Sequence, residues 1–241
     1  MKWPNPLTIV FFTALSLYSC NDLTSPEQTF DQKTGQKPIL VHAKIDSVMN
    51  RLTTVPFSRL EPSYLKSAGL DAEWKRKLSK KTWYSVGQEE SLQFVVGSFR
   101  IRDFLTPDST YFAQAAHPQT GQFQYLCLDR RILHKLLDLL DAMQTQGLDI
   151  SQIKIKHGFR HPAYNHQISG APKSRHQFGE AIDLFVGDVN GDGRADEDDK
   201  APLLKLLDQK IIGNAGGVGK YPGSHVIHMD VRGYRARWDE Q

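Results

Sequence analysis

Apolar residues recur with a helical period most clearly between Asp129 and Gly147, where Leu133, Leu136, Leu137, Leu140 and Met143 fall at the i, i+3, i+4, i+7 spacing of a buried stripe. Asp129 suits the N-cap of that helix and Gly147 its C′ stop. A second helix is predicted near Val41 to Leu52, ahead of Pro56 and Pro62. Strand patterns are shorter. Ile153-Lys154-Ile155-Lys156 alternates like a half-buried strand, and Leu92 to Ile101, Gln122 to Leu128, Ala181 to Val186 and Val226 to Val231 read as further strands. The order of elements predicts an α+β fold, with packed helices on a small, mainly antiparallel sheet over 91–241. Residues 39–90 form an N-terminal extension whose pattern suggests no function.

Ahead of this body lies a different texture. One basic residue, Lys2, precedes an apolar run from Leu7 to Leu17, too short to span a bilayer as a helix but suited to the core of a secretory signal. It ends in Leu17-Tyr18-Ser19-Cys20, which resembles a bacterial lipobox. That resemblance implies a lipoprotein signal peptide over 1–20, acylation of Cys20, and a membrane-anchored protein of the bacterial cell envelope on its periplasmic or outer-surface side. Residues 21–38 are polar and rich in Ser, Thr, Gln and Pro, and read as a flexible tether. With Cys20 acylated, Cys127, the second of two cysteines, has no disulfide partner and is expected to be a buried apolar residue.

Composition narrows the partner. The 241 residues are 39% hydrophobic and 24% charged, as in a globular protein, and Lys+Arg 30 against Asp+Glu 27 gives a formal charge of +3. The basic residues are spread rather than gathered into a stripe, which argues against nucleic acid.

The chemistry is concentrated after Arg160. Ser174-x-His176-x-x-Gly179-x-Ala181-x-Asp183 sets an aspartate inside an apolar strand, where an unpaired charge is costly, so a partner such as a cation is required. His225-x-x-His228-x-Asp230 follows, and in a strand His228 and Asp230 share one face. Two histidines and a carboxylate make a three-ligand zinc set with an open position, the arrangement of catalytic zinc.

These residues justify a resemblance. Gly158-Phe159-Arg160-His161-Pro162-Ala163-Tyr164-Asn165, then Gly170-Ala171 with the Ser174 to Asp183 motif, then Gly216-Gly217-Val218-Gly219-x-Tyr221-Pro222 and His228-x-Asp230-Val231-Arg232-Gly233 resemble the zinc D-Ala-D-Ala carboxypeptidase family of bacterial cell-wall peptidases. The segment from Phe99 to Leu105 is similar to the start of that family's catalytic domain. The resemblance implies zinc ligands His176, Asp183 and His228, a site at the edge of the sheet, Arg160 meeting the substrate, and a D,D-peptidase, carboxypeptidase or endopeptidase, acting on peptidoglycan peptides. A non-catalytic zinc-containing wall- or partner-binding domain is the alternative. His157 and His161 depart from the pattern, where the family usually has Ser or Thr and Ser. The general base stays open between His225, by position, and Asp230, by chemistry, although Asp230 also suits orienting His228.

A second motif lies between the last two zinc ligands. Asp188, Asn190, Asp192, Arg194 through its carbonyl, Asp196 and Asp199 stand at the liganding positions of a twelve-residue calcium loop, 188–199, with Gly193 at the sharp turn. It resembles EF-hand and dockerin loops, with Asp in place of Glu at the last position. A structural calcium ion is expected there; a calcium-dependent adhesion module would be the reading if the zinc residues were incidental.

Overall fold

The computed structural model describes residues 41–107 and 123–239. The expected signal peptide, Cys20 and the 21–38 tether lie outside the described residues. Helices α1 (His42–Arg51), α2 (Pro62–Ser67), α3 (Ala72–Leu78), α4 (Gln88–Ser91), α5 (Arg131–Thr145), α6 (Pro162–Gln167) and α7 (Glu197–Leu206) alternate with strands β1 (Thr53–Thr54), β2 (Trp83–Gly87), β3 (Phe94–Val96), β4 (Phe99–Arg100), β5 (Phe123–Cys127), β6 (Ile153–His157), β7 (Ala181–Val186), β8 (Gly217–Lys220), β9 (Val226–Asp230) and β10 (Ala236–Asp239).

The α5 helix carries the period read from sequence. Its buried set adds Ile132 and Leu139 to the predicted stripe, and the widened apolar face packs against α1, β3 and α7. The N-cap is Arg130, without a side-chain cap bond, one residue after the predicted Asp129, whose Oδ1 accepts from the backbone N–H of Arg131 at 3.1 Å; Gly147 takes the left-handed conformation (φ 78°) that ends the helix.

Five strands form one sheet in the order β10-β8-β9-β7-β6, antiparallel except where β10 runs parallel to β8. Two smaller ladders, β1-β2-β5 and the β3-β4 hairpin, complete a mixed α+β body. The registry of β7 on β9 matters most, because it sets Asp183 opposite His228. Both strands are internal to the sheet. Asp183 and His228 therefore lie on inner strands of the sheet rather than at its edge, and His176 is brought to them by a 3₁₀ turn.

Among the described residues no break in the core marks the boundary expected near residue 90. Strand β2, from the extension, pairs with β5 along its length, and apolar residues from Ile45 to Val231 form one buried cluster. Cys127 sits fully buried within it, and burial pushes its thiol pKa up, as befits an inert apolar residue.

Candidate metal centre

Three ligand atoms converge on the sheet face. His176 Nε2 lies 3.0 Å from Asp183 Oδ1, His228 Nδ1 lies 2.9 Å from that oxygen, and the two ring nitrogens are 3.2 Å apart. All three side chains are buried. His176 is delivered by a 3₁₀ turn, Arg175–Phe178, that ends at Gly179 in the left-handed conformation (φ 65°). A side chain at Gly179 would meet the carbonyl oxygen of Cys127 at 2.2 Å, so the motif's glycine is required twice, by dihedral and by space.

The protonation of this triangle follows from its outer partners. His176 Nδ1 lies 2.7 Å from the carbonyl oxygen of Gly158, which can only accept, so a neutral His176 ring presents a bare Nε2. His228 Nε2 lies 3.1 Å from Asp230 Oδ2, which assigns the proton there and leaves Nδ1 bare. With both rings neutral, three lone pairs face one another at about van der Waals contact or closer, and a cation relieves them, either a proton shared with Asp183 or a metal ion. Edges of 2.9 to 3.2 Å also suit ligands held about 2.0–2.2 Å from zinc. The donor set therefore fits zinc.

The charges respond to the same crowding. In the metal-free protein burial disfavours ionisation of Asp183, but the adjoining imidazoles, His176 first and then His157 and His228, hold its carboxyl well below the usual range. Burial pulls His176 down, whereas for His228 hydrogen bonds to Asp183 and Asp230 outweigh burial and raise it.

Asp230 sits behind the triangle, not in front of it. It is fully buried, accepts from the backbone N–H of Gly217 at 2.9 Å and that of Arg232 at 3.1 Å, and is clamped by the Arg232 guanidinium at 2.5 Å. Gly217 is glycine because a Cβ there would meet Asp230 Oδ2 at 2.2 Å, and Gly219 because one would meet the Trp238 ring at 2.5 Å. The Trp238 ring in turn covers His228, with centroids 5.0 Å apart. His225 is placed elsewhere: it is exposed, packs on Phe185 at 5.4 Å, and does not line the cleft that Ser224, Val226 and His228 line.

Arg160 does reach the cleft. Its guanidinium pairs with Asp183 Oδ2 through Nη2, while Nε is buried with no partner among the described residues. His157 Nδ1 approaches the same oxygen at 3.3 Å from the end of β6. The cleft has a volume of about 880 Å³ and is also lined by Lys156, Lys173 and Tyr221.

What holds Arg160 in place was not readable from sequence. The backbone of Phe159 bonds to the carbonyl of Phe104 at 2.8 Å, Thr106 Oγ1 donates to the carbonyl of Phe159 at 2.9 Å, and a Cβ on Gly158 would collide with Phe104 at 2.5 Å. Trp83 sets its edge against Phe159 at 5.5 Å, and Tyr64 against His161 at 6.4 Å. The extension is thus a backing for the Arg160 segment. His161, unusual against the pattern, caps α6: its Nδ1 accepts from the backbone N–H of Tyr164 at 3.1 Å, the bond a serine would make.

The acidic loop folds on itself. Asp188 accepts from the backbone N–H groups of Gly191, Asp192 and Gly193 at 2.7 to 3.1 Å, and Asp196 caps α7. Asp199, fully buried, accepts from Val189, Asn190 and Asp196 at 2.8 to 3.1 Å. Helix α7 begins at Glu197, within the loop motif. Next in that helix, the buried Lys200 donates to the carbonyls of Tyr221 at 3.1 Å and Ser224 at 2.5 Å, tying the loop's helix to the cleft rim. Among the described residues the only group of three or more potential ligands within metal-binding reach is His176, Asp183 and His228.

Comparison with known proteins agrees with this geometry. Residues 123–238 match the family model described as Peptidoglycan L,D-endopeptidase MepK, a segment that contains the whole triangle, Arg160 and the acidic loop. Curated proteins give no match. By the family match residues 123–238 are a zinc D-Ala-D-Ala carboxypeptidase-like peptidase segment, which makes the protein a zinc-dependent metallopeptidase of peptidoglycan.

Proposed function

We propose that the chain is a lipid-anchored endopeptidase that cuts cross-link peptides of the cell wall, with His176, Asp183 and His228 holding zinc. The observation that carries the ligand assignment is the triangle of three bare ligand atoms, each held in orientation from behind. Bound zinc supplies Lewis acidity toward the scissile carbonyl and makes water nucleophilic at neutral pH.

The chain's own residues do the rest. Arg160, which lines the cleft while its Nη2 is paired with Asp183, holds the substrate carboxylate or the oxygen that gains charge. Asp230, its carboxylate consumed by Gly217, Arg232 and His228, serves to orient His228 and to fix its tautomer rather than to take a proton from water. We assign His225, exposed and packed on Phe185, no part in proton transfer.

Two bonds compete as the target. The motif resemblance implies a D,D bond; the description of the matched family names an L,D-endopeptidase, and because that match spans the full zinc segment we favour the L,D bond for this chain. Purified dimeric muropeptides linked through one or the other bond, digested with and without a chelator and read by mass, decide it. Splitting of L,D-linked dimers alone is expected; splitting confined to D,D-linked dimers, or release of terminal D-Ala only, overturns it.

Lipid anchoring through Cys20 and calcium in the 188–199 loop belong to the same proposal. The loop's support is its ligand spacing together with the folded-back carboxylates, and left-handed glycines at 191 and 193 that open its turns (φ 77° and 87°). Adding calcium to chelator-treated protein should raise the melting temperature, and Asp188→Ala should remove the rise. An unchanged melting curve in the wild type rejects the ion.

A further inference from the structure

Far from the cleft sequence, α1 and α5 carry the same short pattern, a histidine followed four residues on by an aspartate: His42 and Asp46, His134 and Asp138. The helices pack so that each histidine takes the other helix's acid. His42 Nε2 lies 3.0 Å from Asp138 Oδ1, and His134 Nε2 lies 3.3 Å from Asp46 Oδ1. The rings stack at 5.1 Å with an interplanar angle of 23°, and their two Nδ1 atoms face each other at 2.8 Å.

A carboxylate only accepts, so each Nε2 carries its ring's proton and each neutral ring turns a bare Nδ1 toward the other. Two lone pairs at 2.8 Å repel, and the arrangement requires a cation between them, a shared proton or a metal ion. Carboxylate behind, bare nitrogen in front is also how a metal-ligating histidine is held. Imidazole pairs suit zinc, nickel and copper. Ligand bonds of about 2.0–2.1 Å to zinc ask the two nitrogens to part by only a few tenths of an ångström, which side chains 54% and 26% exposed can do. The neighbouring charges do not oppose a divalent ion, because Arg130 and Lys135, at 3.9 and 3.3 Å from Asp46 and Asp138, are balanced by those same acids.

We propose a second, open transition-metal site formed by Nδ1 of His42 and His134, with Asp138 and Asp46 orienting the rings and water completing the shell. It fastens α1 to α5. With two protein ligands it is weaker than the cleft site, and it is independent of the peptidase reaction.

Tag-free, zinc-loaded full-length protein titrated with Ni²⁺ or Zn²⁺ at pH 7.5 tests it by calorimetry. A further equivalent is expected in the wild type, lost in His42→Ala and in His134→Gln and weakened about tenfold in Asp138→Asn. Peptidase activity of the variants should match the wild type, which shows them folded. Absence of the further equivalent, as when a shared proton fills the gap, overturns the site, and so does an equivalent that survives both histidine substitutions.

Discussion

The zinc triangle and the acidic loop are spelled with comparable clarity in the sequence, yet the folded chain treats them in opposite ways. In the triangle, three side chains arrive from β7, β9 and the 3₁₀ turn before β7, and among the described residues their ligand atoms meet only one another. In the loop, the carboxylates of Asp188, Asp192, Asp196 and Asp199 are already bonded to backbone N–H groups of their own turn. The first arrangement is incomplete without a cation; the second is self-sufficient and at most improved by one. Motif strength is therefore a poor guide to how much a protein depends on an ion, and the state of the ligands' remaining hydrogen bonds is a better one.

The sharpest way to break this contrast is to remove one ligand from each side. His176→Ala should abolish zinc retention and lower peptidase turnover by about 10³-fold or more, because several kcal/mol of metal-derived stabilisation are lost at about 1.4 kcal/mol per tenfold. Asp188→Ala should leave turnover within about threefold. Metal content by elemental analysis and muropeptide digestion read both, and equal losses in the two variants would erase the distinction.

Next in size is the group behind the triangle. Asp230→Asn keeps the shape but loses the negative charge that faces Arg232 and His228, and should cost about 10- to 100-fold in zinc affinity or activity. Retention of full affinity would return Asp230 to the role of a bystander.

How far each region could be read in advance follows from range. The His176 to Asp183 motif is local, its residues lie within one turn and one strand, and its chemistry was legible. Asp230 was ambiguous because its partners, Gly217 and Arg232, are set by the β8–β9 pairing and by the turn that follows β9, neither of which a strand pattern reveals. His225 looked like a base by position, but the strand starts at Val226 and directs it onto Phe185 instead. The backing of Arg160 by Tyr64, Trp83, Phe104 and Thr106 had no local signal at all, since those contacts join residues more than fifty positions apart. The α5 stripe, widened by Ile132 and Leu139, and the β6 alternation are by contrast short-range patterns and persist in the fold.

Within the loop, a smaller effect separates structure from ion binding. Asp199→Ala strands the buried N–H of Val189 and unpairs those of the exposed Asn190 and Asp196, and should cost about 1–3 kcal/mol of stability with a chelator present. Denaturant unfolding in chelator measures it. A loss that appears only when calcium is supplied would mean that the loop, like the triangle, is held by its ion.

The smallest effect is the most diagnostic of the lone-pair argument. In chelated protein His176 has its pKa lowered by burial, so it binds protons less well folded than unfolded, and stability should rise as pH climbs toward the ordinary imidazole value of about 6.5. His228 has its pKa raised by Asp183 and Asp230, so the stability it contributes is fully present below about 6.5 and is lost as pH rises through its folded value. The two windows meet, and metal-free stability should pass through a shallow maximum near pH 6.5. Zinc replaces the proton that His228 holds, so in the loaded protein the decline above that pH should disappear, and stability should instead fall on the acid side as protons compete for the ligands. Unfolding curves at half-unit pH steps, taken as the difference between chelated and zinc-loaded protein, isolate these two histidines from every other titrating group. A difference that does not change between pH 6 and 8 would mean that the triangle does not need its cation.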